Sequence, residues 1–369
     1  MKILFVTTSL GIGGAERMMI NLINFLLKNN FQVYILVLNN SGEILDKSFI
    51  KKVQIKFLNI NKYNFFNPLI SYRIIKFFFS HKPNIIQGWM YHGNILAYLI
   101  HIFLKPFFKT KIFWSVRQTL YNIKQEKILT RIIIKLNCFF SSSISSTFFN
   151  SLVSISQHEK YGFKNCKYIS NSIDTNYFKY NESHKILVRK KLDIKNTEIV
   201  IIHIARFHPM KNHISTMKIL DNLNFPNCRY IFIGKNINLS NKYISTQFSK
   251  LENKDKFILL DKTNNINKYL CASDILIMNS KWGEGFPNVI AEAMLTNNIV
   301  LSSDIGDSRL IVSNFGLIFK DEIEFQEKLY DVVNNLNYYN KKFEGSQNHI
   351  VSNFSEFKIC SKFIAEYLS

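Results

Sequence analysis

The feature that most constrains the fold is an apolar run followed by a glycine-rich loop and a helical pattern, at residues 274–294. Residues 274–278 form a short apolar run, which is typical of a buried strand. Gly283 and Gly285 allow a tight turn after this run, and Pro287 suits the first turn of a helix. A strand, a glycine loop and a helix in this order predict a parallel α/β sheet, with the loop at the carboxyl end of a strand, where such sheets bind ligands.

The same loop carries groups that bind sugars and phosphates. The N–H groups at the start of a helix suit a phosphate, and carboxylates accept hydrogen bonds from sugar hydroxyls. Glu284 lies in the loop and Glu292 on the second turn of the helix. The arrangement predicts recognition of a sugar and a phosphate together, as in a nucleotide sugar. The alternative is that both glutamates are surface charges beside an ordinary turn.

Residues 284–294 read Glu-Gly-Phe-Pro-Asn-x-x-x-Glu-Ala-Met, which resembles the signature of the retaining glycosyltransferases of family 4. The resemblance implies a GT-B fold, in which two Rossmann-like, doubly wound α/β domains face each other across a cleft. It implies that Glu284 holds the donor sugar as a catalytic residue and that Glu292 binds the ribose. The donor-binding residues that it implies are Gly14, Arg206, Lys211, Gly285, Phe286, Pro287, Asn288 and Glu292.

A second glycine loop follows the first strand, residues 2–7, and precedes a helical pattern. The spacing of its glycines does not match the dinucleotide fingerprint, and no acid ends the next strand, so nicotinamide binding is disfavoured. The string Gly13-Gly14-Ala-Glu is instead similar to the opening loop of family 4 enzymes. There, Gly13 is expected near the acceptor and Gly14 near the donor.

Two further strand ends carry candidate residues. The string Trp-Met-Tyr-His at residues 89–92 recurs in family 4 enzymes that build bacterial surface polysaccharides, and the resemblance implies that His92 is a catalytic residue near the donor sugar. A hydrogen-bonded structural histidine is the alternative. Arg117 follows a strand at residues 111–116, where we expect it either to bind an acceptor phosphate or to form a structural ion pair.

The second half of the chain restarts the alternation with a strand at residues 198–204. The sequence Arg-x-x-Pro-x-Lys after it places Arg206 and Lys211 where they can converge on a diphosphate, one as a bidentate donor and one as a point charge. This pattern matches the pyrophosphate clamp of the family. Because no Asp-x-Asp sequence occurs, neither a metal nor any other cofactor is expected.

The resemblance also sets the domain boundaries. We expect an acceptor-binding domain at residues 1–180, a donor-binding domain at 181–350, and a C-terminal helix at 351–369 that packs back on the first domain. A buried strand is expected at residues 151–155, and the polar stretch at 179–195 is interpreted as the linker. The family usually has glycine where Asp261 stands, so the base pocket is expected to differ there.

Charge is unevenly distributed. Residues 1–180 hold 23 Lys and Arg against 6 Asp and Glu, whereas residues 181–369 hold 24 against 20. A half so positive favours an anionic partner, namely nucleic acid, an anionic membrane surface or a phosphorylated acceptor; simple solubility is the alternative. The candidate patch combines three lysines with four phenylalanines: Lys105, Lys109, Lys111, Phe103, Phe107, Phe108 and Phe113.

Composition limits the cellular setting. No apolar run reaches the 18 residues of a membrane span, and residues 2–6 already form a strand, so neither a transmembrane helix nor a signal peptide is expected. The five cysteines are scattered, as in reduced proteins. These features predict a cytoplasmic protein that is peripheral on the inner face of the cell membrane.

Together with these patterns, the resemblance to family 4 implies a hexosyltransferase that moves a sugar with retention of configuration from a nucleotide diphosphate donor. UDP linked to an N-acetylhexosamine is the expected donor, and the expected acceptor is a polyprenyl-diphosphate-linked saccharide of O-antigen, capsule or lipopolysaccharide assembly. The alternatives are a GT-B nucleotide-sugar epimerase and a non-catalytic protein that binds a membrane surface or nucleic acid. Because no basic-aromatic module of the known nucleic-acid binders is visible, nucleic acid is not an expected partner.

Overall fold

A computed structural model describes residues 1–11, 13–39, 49, 51–59, 67–121 and 123–369. The chain divides into two compact units. The first contains Met1–Ser172 together with Glu356–Ser369, and the second contains Ile173–Ser355. The first unit therefore ends eight residues before the predicted boundary, and it includes the last helix of the chain.

The first unit is built on a parallel seven-stranded sheet in the order β3-β2-β1-β4-β5-β6-β7. Its inner strands β1, β4, β5 and β6 are buried on both faces, as in parallel sheets covered by helices, whereas the edge strands β3 and β7 are partly exposed. The strands are β1 Lys2–Thr7, β2 Gln32–Val37, β3 Gln54–Phe57, β4 Ile85–Trp89, β5 Lys111–Val116, β6 Ser146–Phe149 and β7 Cys166–Tyr168. The helices are α1 Gly14–Lys28, α2 Pro68–His81, α3 Met90–Leu104, α4 Ile128–Phe140 and α5 Leu152–Tyr161.

The second unit repeats this plan with a parallel six-stranded sheet in the order β10-β9-β8-β11-β12-β13. The strands are β8 Ile199–Ile204, β9 Cys228–Ile233, β10 Phe257–Leu260, β11 Ile275–Met278, β12 Ile299–Ser303 and β13 Leu317–Phe319. The helices are α6 Glu182–Lys191, α7 His213–Leu223, α8 Lys242–Phe248, α9 Ile266–Ala272, α10 Asn288–Met294, α11 Ser308–Val312, α12 Glu322–Asn334, α13 Leu336–Lys342 and α14 Ser346–Phe354. Both units are thus doubly wound α/β domains, as predicted.

The last helix, α15 Glu356–Leu368, packs into the first unit. The Tyr367 hydroxyl donates to Gln87 Oε1 at 2.8 Å in the middle of the sheet. The Phe363 ring meets that of Phe148 edge to face, with centroids 5.1 Å apart. Through these contacts the terminal helix packs in the core of the first unit, although the rest of that unit is far from it in sequence.

Two predictions about local structure are wrong. The strand expected at residues 151–155 is the first half of α5, because the Ser151 hydroxyl accepts from Ser154 N at 2.9 Å and so caps the helix. The strand lies just before it, at β6. The linker expected at 179–195 contains α6, whose Arg189 is buried and paired with Asp274 at 2.8 Å. A charged stretch is therefore fixed to the second sheet by one buried guanidinium.

Within the described residues, none of the helices is both long and apolar enough to cross a bilayer. All five cysteines are free thiols, and three of them are buried.

One buried histidine makes the first unit sensitive to acid. His158 Nδ1 lies 2.7 Å from the Ser154 carbonyl oxygen and Nε2 lies 2.6 Å from the Tyr91 hydroxyl. The carbonyl requires a donor, so the proton sits on Nδ1 and Nε2 accepts from Tyr91. Burial disfavours the charged ring and lowers the pKa of His158 to about 4.

We predict that the free energy of unfolding falls as the pH decreases from about 6.5 to about 4. In this window the unfolded chain takes up a proton at residue 158 that the folded chain does not, which removes about 3 kcal/mol. Urea unfolding at several pH values measures the effect. The His158→Gln variant is expected to lose less stability on acidification than wild type, and an equal loss in both proteins contradicts the assignment.

Candidate active site

In the second unit, β8 and β11 are neighbours at the point where the strand order reverses. From β8 the chain runs outward to β9 and β10, and then returns to β11 on the other side of β8. Loops that leave the carboxyl ends of such a strand pair separate and form a crevice. The two motifs singled out in the sequence, residues 206–211 and 280–288, are these two loops.

The loop after β11 is held by hydrogen bonds to both neighbouring loops. Lys281 N donates to the Met210 carbonyl and Asp307 N donates to the Gly285 carbonyl, each at 2.8 Å. The Ser303 hydroxyl donates to the Ser280 carbonyl, also at 2.8 Å. The sequence motif does not predict these three hydrogen bonds. The glycine turn after β12 is the sequence feature that could have indicated a contact with this loop.

Two glycines make this packing feasible. Gly283 has φ of +79° and Gly306 has φ of +61°, values that favour glycine. A Cβ atom on Gly306 would lie 2.4 Å from the Gly285 carbonyl oxygen and 2.6 Å from that of Glu284. The turn after β12 therefore supports the backbone of the β11 loop directly.

Glu284 is the best anchored side chain of the loop. Its side chain is 10% exposed, and Oε1 receives both the Lys211 ammonium and the Ser280 hydroxyl, the latter at 2.6 Å. Oε2 has no hydrogen-bond partner among the described residues. Because the carboxylate is held through one oxygen, the other is available to accept a hydrogen bond from a ligand.

The other predicted donor residues differ in their surroundings. Arg206 is exposed and forms no hydrogen bond or ion pair within the part of the chain that the structure describes. Lys211 lies at the end of a 3₁₀ turn, Pro209–Lys211, and forms an ion pair with Glu284. Glu292 is buried on α10. Among the described residues, Arg206 is therefore unpaired, whereas Lys211 is paired with Glu284.

Between Glu284 and Glu292, the side chains mainly make structural contacts. The Phe286 ring is buried and meets that of Phe354, with centroids 5.2 Å apart. Pro287 precedes α10 as its N-cap, and Asn288 is the first helical residue. The contact between the Phe286 and Phe354 rings anchors the loop on the core. In this part of the loop, Gly285 and the main-chain groups are therefore the candidates for contact with a ligand.

Asp261, where the family usually has glycine, directly follows β10, and both of its carboxylate oxygens accept hydrogen bonds. Its carboxylate accepts from Asn236 N at 3.1 Å, Asn238 Nδ2 at 2.6 Å and Lys262 N at 2.6 Å. These bonds, that of Lys262 N first, lower the pKa of Asp261. The substitution therefore ties the loops after β9 and β10 together.

A polar cavity of about 260 Å³ lies beside the β11 loop. Its lining includes Asn212, Ser280, Ser303 and Asp304. A larger cavity of about 850 Å³ lies near Asp274 and Asn298, which precede the amino ends of β11 and β12. The smaller cavity lies at the carboxyl ends of β11 and β12, where ligands of such sheets bind, but Glu284, Lys211 and Arg206 are not among its lining residues.

In the first unit, His92 lies in the first turn of α3, directly after β4. β1 and β4 are neighbours at the reversal of strand order in this sheet, so His92 and the Gly13–Gly14 loop leave the same switch point. His92 is half-buried, and burial lowers the pKa of the imidazole. The ring is therefore neutral at neutral pH.

Buried bonds hold the turn that carries His92. Asn137 Nδ2, on α4, donates to the Tyr91 carbonyl at 3.0 Å. The Tyr91 hydroxyl meets His158 on α5. His92 itself has no hydrogen-bond partner within the described ranges, so its ring is left available on a fixed backbone.

The glycine loop after β1 ends where α1 begins. Gly13 is the N-cap and Gly14 the first helical residue. Glu16, in the first turn, accepts a long hydrogen bond of 3.5 Å from the Ser9 hydroxyl, and burial raises the pKa of its carboxyl. Trp89 Nε1 donates to the Ala15 carbonyl at 3.0 Å and joins the start of α1 to the end of β4.

Arg117, predicted either to bind an acceptor phosphate or to form a structural ion pair, lies in the interior of the first unit and forms no ion pair among the described residues. Its guanidinium is buried, with Trp89 and Phe363 rings at 5.1 Å and 5.3 Å from Cζ. It donates to Ser115 Oγ at 3.1 Å and to the Ile169 carbonyl at 2.6 Å. Arg117 is thus a structural residue that joins the ends of β5 and β7 below α15.

The predicted basic-aromatic patch is also partly wrong. Phe103 and Phe107 are exposed, but Phe113 is buried on β5 and stacks on Phe148 with centroids 5.5 Å apart. The Phe108 ring packs on that of Phe78, with centroids 5.4 Å apart. Residues 112–116 of β5 are buried whichever face of the sheet they point to, so Phe113 does not reach the surface.

No group of three or more His, Cys, Asp or Glu side chains in the described part of the chain is arranged to hold a metal ion.

Comparison with known proteins agrees with this architecture. A family model described as Glycosyltransferase Family 4 matches residues 12–177, and one described as Glycosyl transferases group 1 matches residues 185–344. HepE from Anabaena, solved in complex with UDP, superposes with a TM-score of 0.84 at 19% identity, over 100% of this chain and 99% of that one. The chain belongs to the glycosyltransferases of family 4 and has their GT-B fold.

Two curated relatives match over shorter lengths. An Escherichia coli protein named UDP-Gal:alpha-D-GlcNAc-diphosphoundecaprenol alpha-1,3-galactosyltransferase is 27% identical over 150 residues, which is 40% of this chain and 38% of that protein. An uncharacterized glycosyltransferase of Methanocaldococcus jannaschii is 25% identical over 258 residues, 64% of this chain and 62% of that protein. The matches therefore span less than two thirds of either relative.

We predict that Gly306→Ala destabilises the protein more than Gly345→Ala. Both positions have positive φ, so both variants lose about 1–2 kcal/mol to backbone strain. Only at Gly306 does the new methyl group overlap the Glu284 and Gly285 carbonyls, whereas at Gly345 the nearest atom is 3.6 Å away. Overlap with backbone adds at least about 1 kcal/mol. Urea unfolding measures both variants, and equal losses contradict the supporting role of the β12 turn.

Proposed function

We propose that the protein transfers a sugar from a nucleotide diphosphate donor to a lipid-diphosphate-linked saccharide, with retention of configuration. The observation that carries the proposal is Glu284, a carboxylate at the switch point of the second sheet that is held through Oε1 and leaves Oε2 free of partners among the described residues. A buried acceptor on a fixed loop suits a sugar hydroxyl, because its geometry needs no reorganisation on binding.

The proposed roles in the second unit follow from charge. Arg206 and Lys211 bind the diphosphate, which gains negative charge as the sugar leaves, so their attraction increases toward the transition state. Lys211 has three N–H donors, and the Glu284 bond uses one of them. Glu292 binds the ribose hydroxyls. No metal or other cofactor is part of the proposal, because the two cations supply the neutralising charge.

Retention is proposed to proceed by attack on the same face of the sugar. The acceptor oxygen bonds to the anomeric carbon as the bond to the diphosphate breaks, and a phosphate oxygen takes the acceptor proton. Covalent attack by Glu284 is disfavoured because the Lys211 ion pair and the Ser280 bond reduce the nucleophilicity of that carboxylate. In the first unit, neutral His92 is the proposed contact to the reacting sugar.

UDP is the proposed nucleotide, carrying a hexose or an N-acetylhexosamine. HepE has been solved with UDP, with UDP and glucose, and with UDP-glucose. The name of the Escherichia coli relative gives UDP-Gal as its donor and a diphosphoundecaprenol-linked sugar as its acceptor. We extend this chemistry to the present chain, in O-antigen or capsule assembly on the inner face of the cell membrane.

The experiment is incubation of the protein with UDP- and GDP-sugars, with and without a short-chain lipid-diphosphate saccharide. We expect donor consumption that depends on the acceptor, and a product with the anomeric configuration of the donor. Glu284→Gln is expected to lower kcat/KM by roughly 10²–10³-fold, as removal of one preorganised polar contact does.

Glu327→Gln, an exposed position on α12, is the matched control and is expected to retain activity. Release of a free sugar without an acceptor indicates an epimerase or hydrolase instead. If no donor is consumed, or if Glu284→Gln behaves like Glu327→Gln, the proposed function is wrong.

A further inference from the structure

Helix α4, Ile128–Phe140, presents an apolar face to solvent. Five large apolar side chains on this helix are exposed: Ile128 by 73%, Leu129 by 64%, Ile132 by 49%, Leu136 by 39% and Phe139 by 74%. Four of them, at 128, 132, 136 and 139, recur every three or four residues and so form one stripe. A helix on the surface of a globular protein normally turns its polar face to water.

The opposite face of α4 packs on the first unit. Ile134 is buried among apolar side chains, and Asn137 is buried with its amide bonded to the Tyr91 and Ile133 carbonyls at 3.0 Å and 2.8 Å. The helix is therefore anchored by its inner face. Its exposed stripe is an additional apolar surface and not a core that has failed to close.

Helix α3 extends the apolar surface. The Tyr98 ring stacks on that of Phe140 with centroids 4.4 Å apart, so α3 and α4 lie side by side. Ile102, one turn beyond Tyr98, is 48% exposed. We call the nine exposed apolar residues of this region the α3–α4 patch: Leu99, Ile102, Phe103, Phe107, Ile128, Leu129, Ile132, Leu136 and Phe139.

The charge around the patch is almost all positive. Apart from the buried Arg117, residues 90–140 contain seven Lys and Arg and one acid, Glu126. Lys127 and Lys135 are exposed on α4, and Lys105 and Lys109 follow α3. An apolar face bordered by lysines is the combination that binds the interface of an anionic bilayer.

These observations favour a bilayer over a second copy of the chain. Association of two copies through this face would bring two strongly positive surfaces together, which is unfavourable. The most exposed side chains, Ile128 and Phe139, lie at the two ends of the helix. A helix of 13 residues is about 20 Å long, enough to lie flat in the headgroup region.

We propose that α4 docks the protein on an anionic lipid surface, with the α3–α4 patch entering the acyl-chain boundary and the neighbouring lysines contacting lipid phosphates. The proposal rests on the proposed function in that a lipid-linked acceptor lies at such a surface. Asn137 joins α4 to the Tyr91 carbonyl, next to His92. Docking therefore holds the His92 turn at a fixed height above the lipid.

The test is cosedimentation of the full chain with vesicles of phosphatidylglycerol and phosphatidylcholine, and with vesicles of phosphatidylcholine alone. Wild type is expected to prefer the anionic vesicles. Ile132→Glu/Phe139→Glu is expected to lower the partition constant at least about tenfold, since each side chain loses its apolar burial. Lys127→Gln and Lys135→Gln are each expected to lower it about fivefold.

The matched control is Ile323→Glu, which changes an apolar side chain that is 70% exposed on α12 in the other unit. It is expected to bind vesicles like wild type. Circular dichroism melting checks that each variant is folded. The proposal is overturned if the α4 double variant binds like wild type. It is also overturned if wild type is a dimer that this variant dissociates and neither binds vesicles.

Transferase activity on a detergent-dispersed acceptor separates this proposal from the proposed function. The α4 double variant is expected to retain that activity, because its substitutions lie outside the candidate site. Absence of turnover in wild type, together with vesicle binding that depends on α4, refutes the proposed function and supports docking.

Discussion

The ion pair between Lys211 and Glu284 is the interaction on which the candidate site depends. It joins the loops that follow two adjacent strands of the second sheet, and it fixes a carboxylate whose side chain is 10% exposed. A carboxylate in such a position is costly without a partner, because burial removes its hydration. The pair therefore orients the Glu284 carboxylate, and the Ser280 hydroxyl fixes its rotation.

Strand order explains why residues distant in sequence meet. In each unit the order reverses beside the first strand, so the loops after β1 and β4, and those after β8 and β11, leave from adjacent strand ends. The turn after β12 then supports the β11 loop through Gly306, where a side chain does not fit. Within the first unit, His92 lies on a turn that is held by contacts with α4 and α5.

The sequence predicted the two doubly wound units and the segments after β4, β8 and β11 that carry His92, Lys211 and Glu284, because apolar runs followed by polar or glycine-containing turns are local patterns. It did not predict contacts made with distant main chain. Arg117 is buried because the Ile169 carbonyl and two aromatic rings surround it, and a basic residue at a strand end gives no sign of that. Ser151 was similarly ambiguous, since apolar residues after a serine fit a strand or a capped helix.

The most direct test of the account is a double-mutant cycle on donor affinity with Glu284→Gln, Lys211→Met and the double variant. Isothermal titration with the nucleotide sugar that supports turnover measures the four dissociation constants. If the two residues act as one unit, the double variant binds about as weakly as the weaker single variant. Independent effects that multiply in the double variant would contradict the central role of the pair.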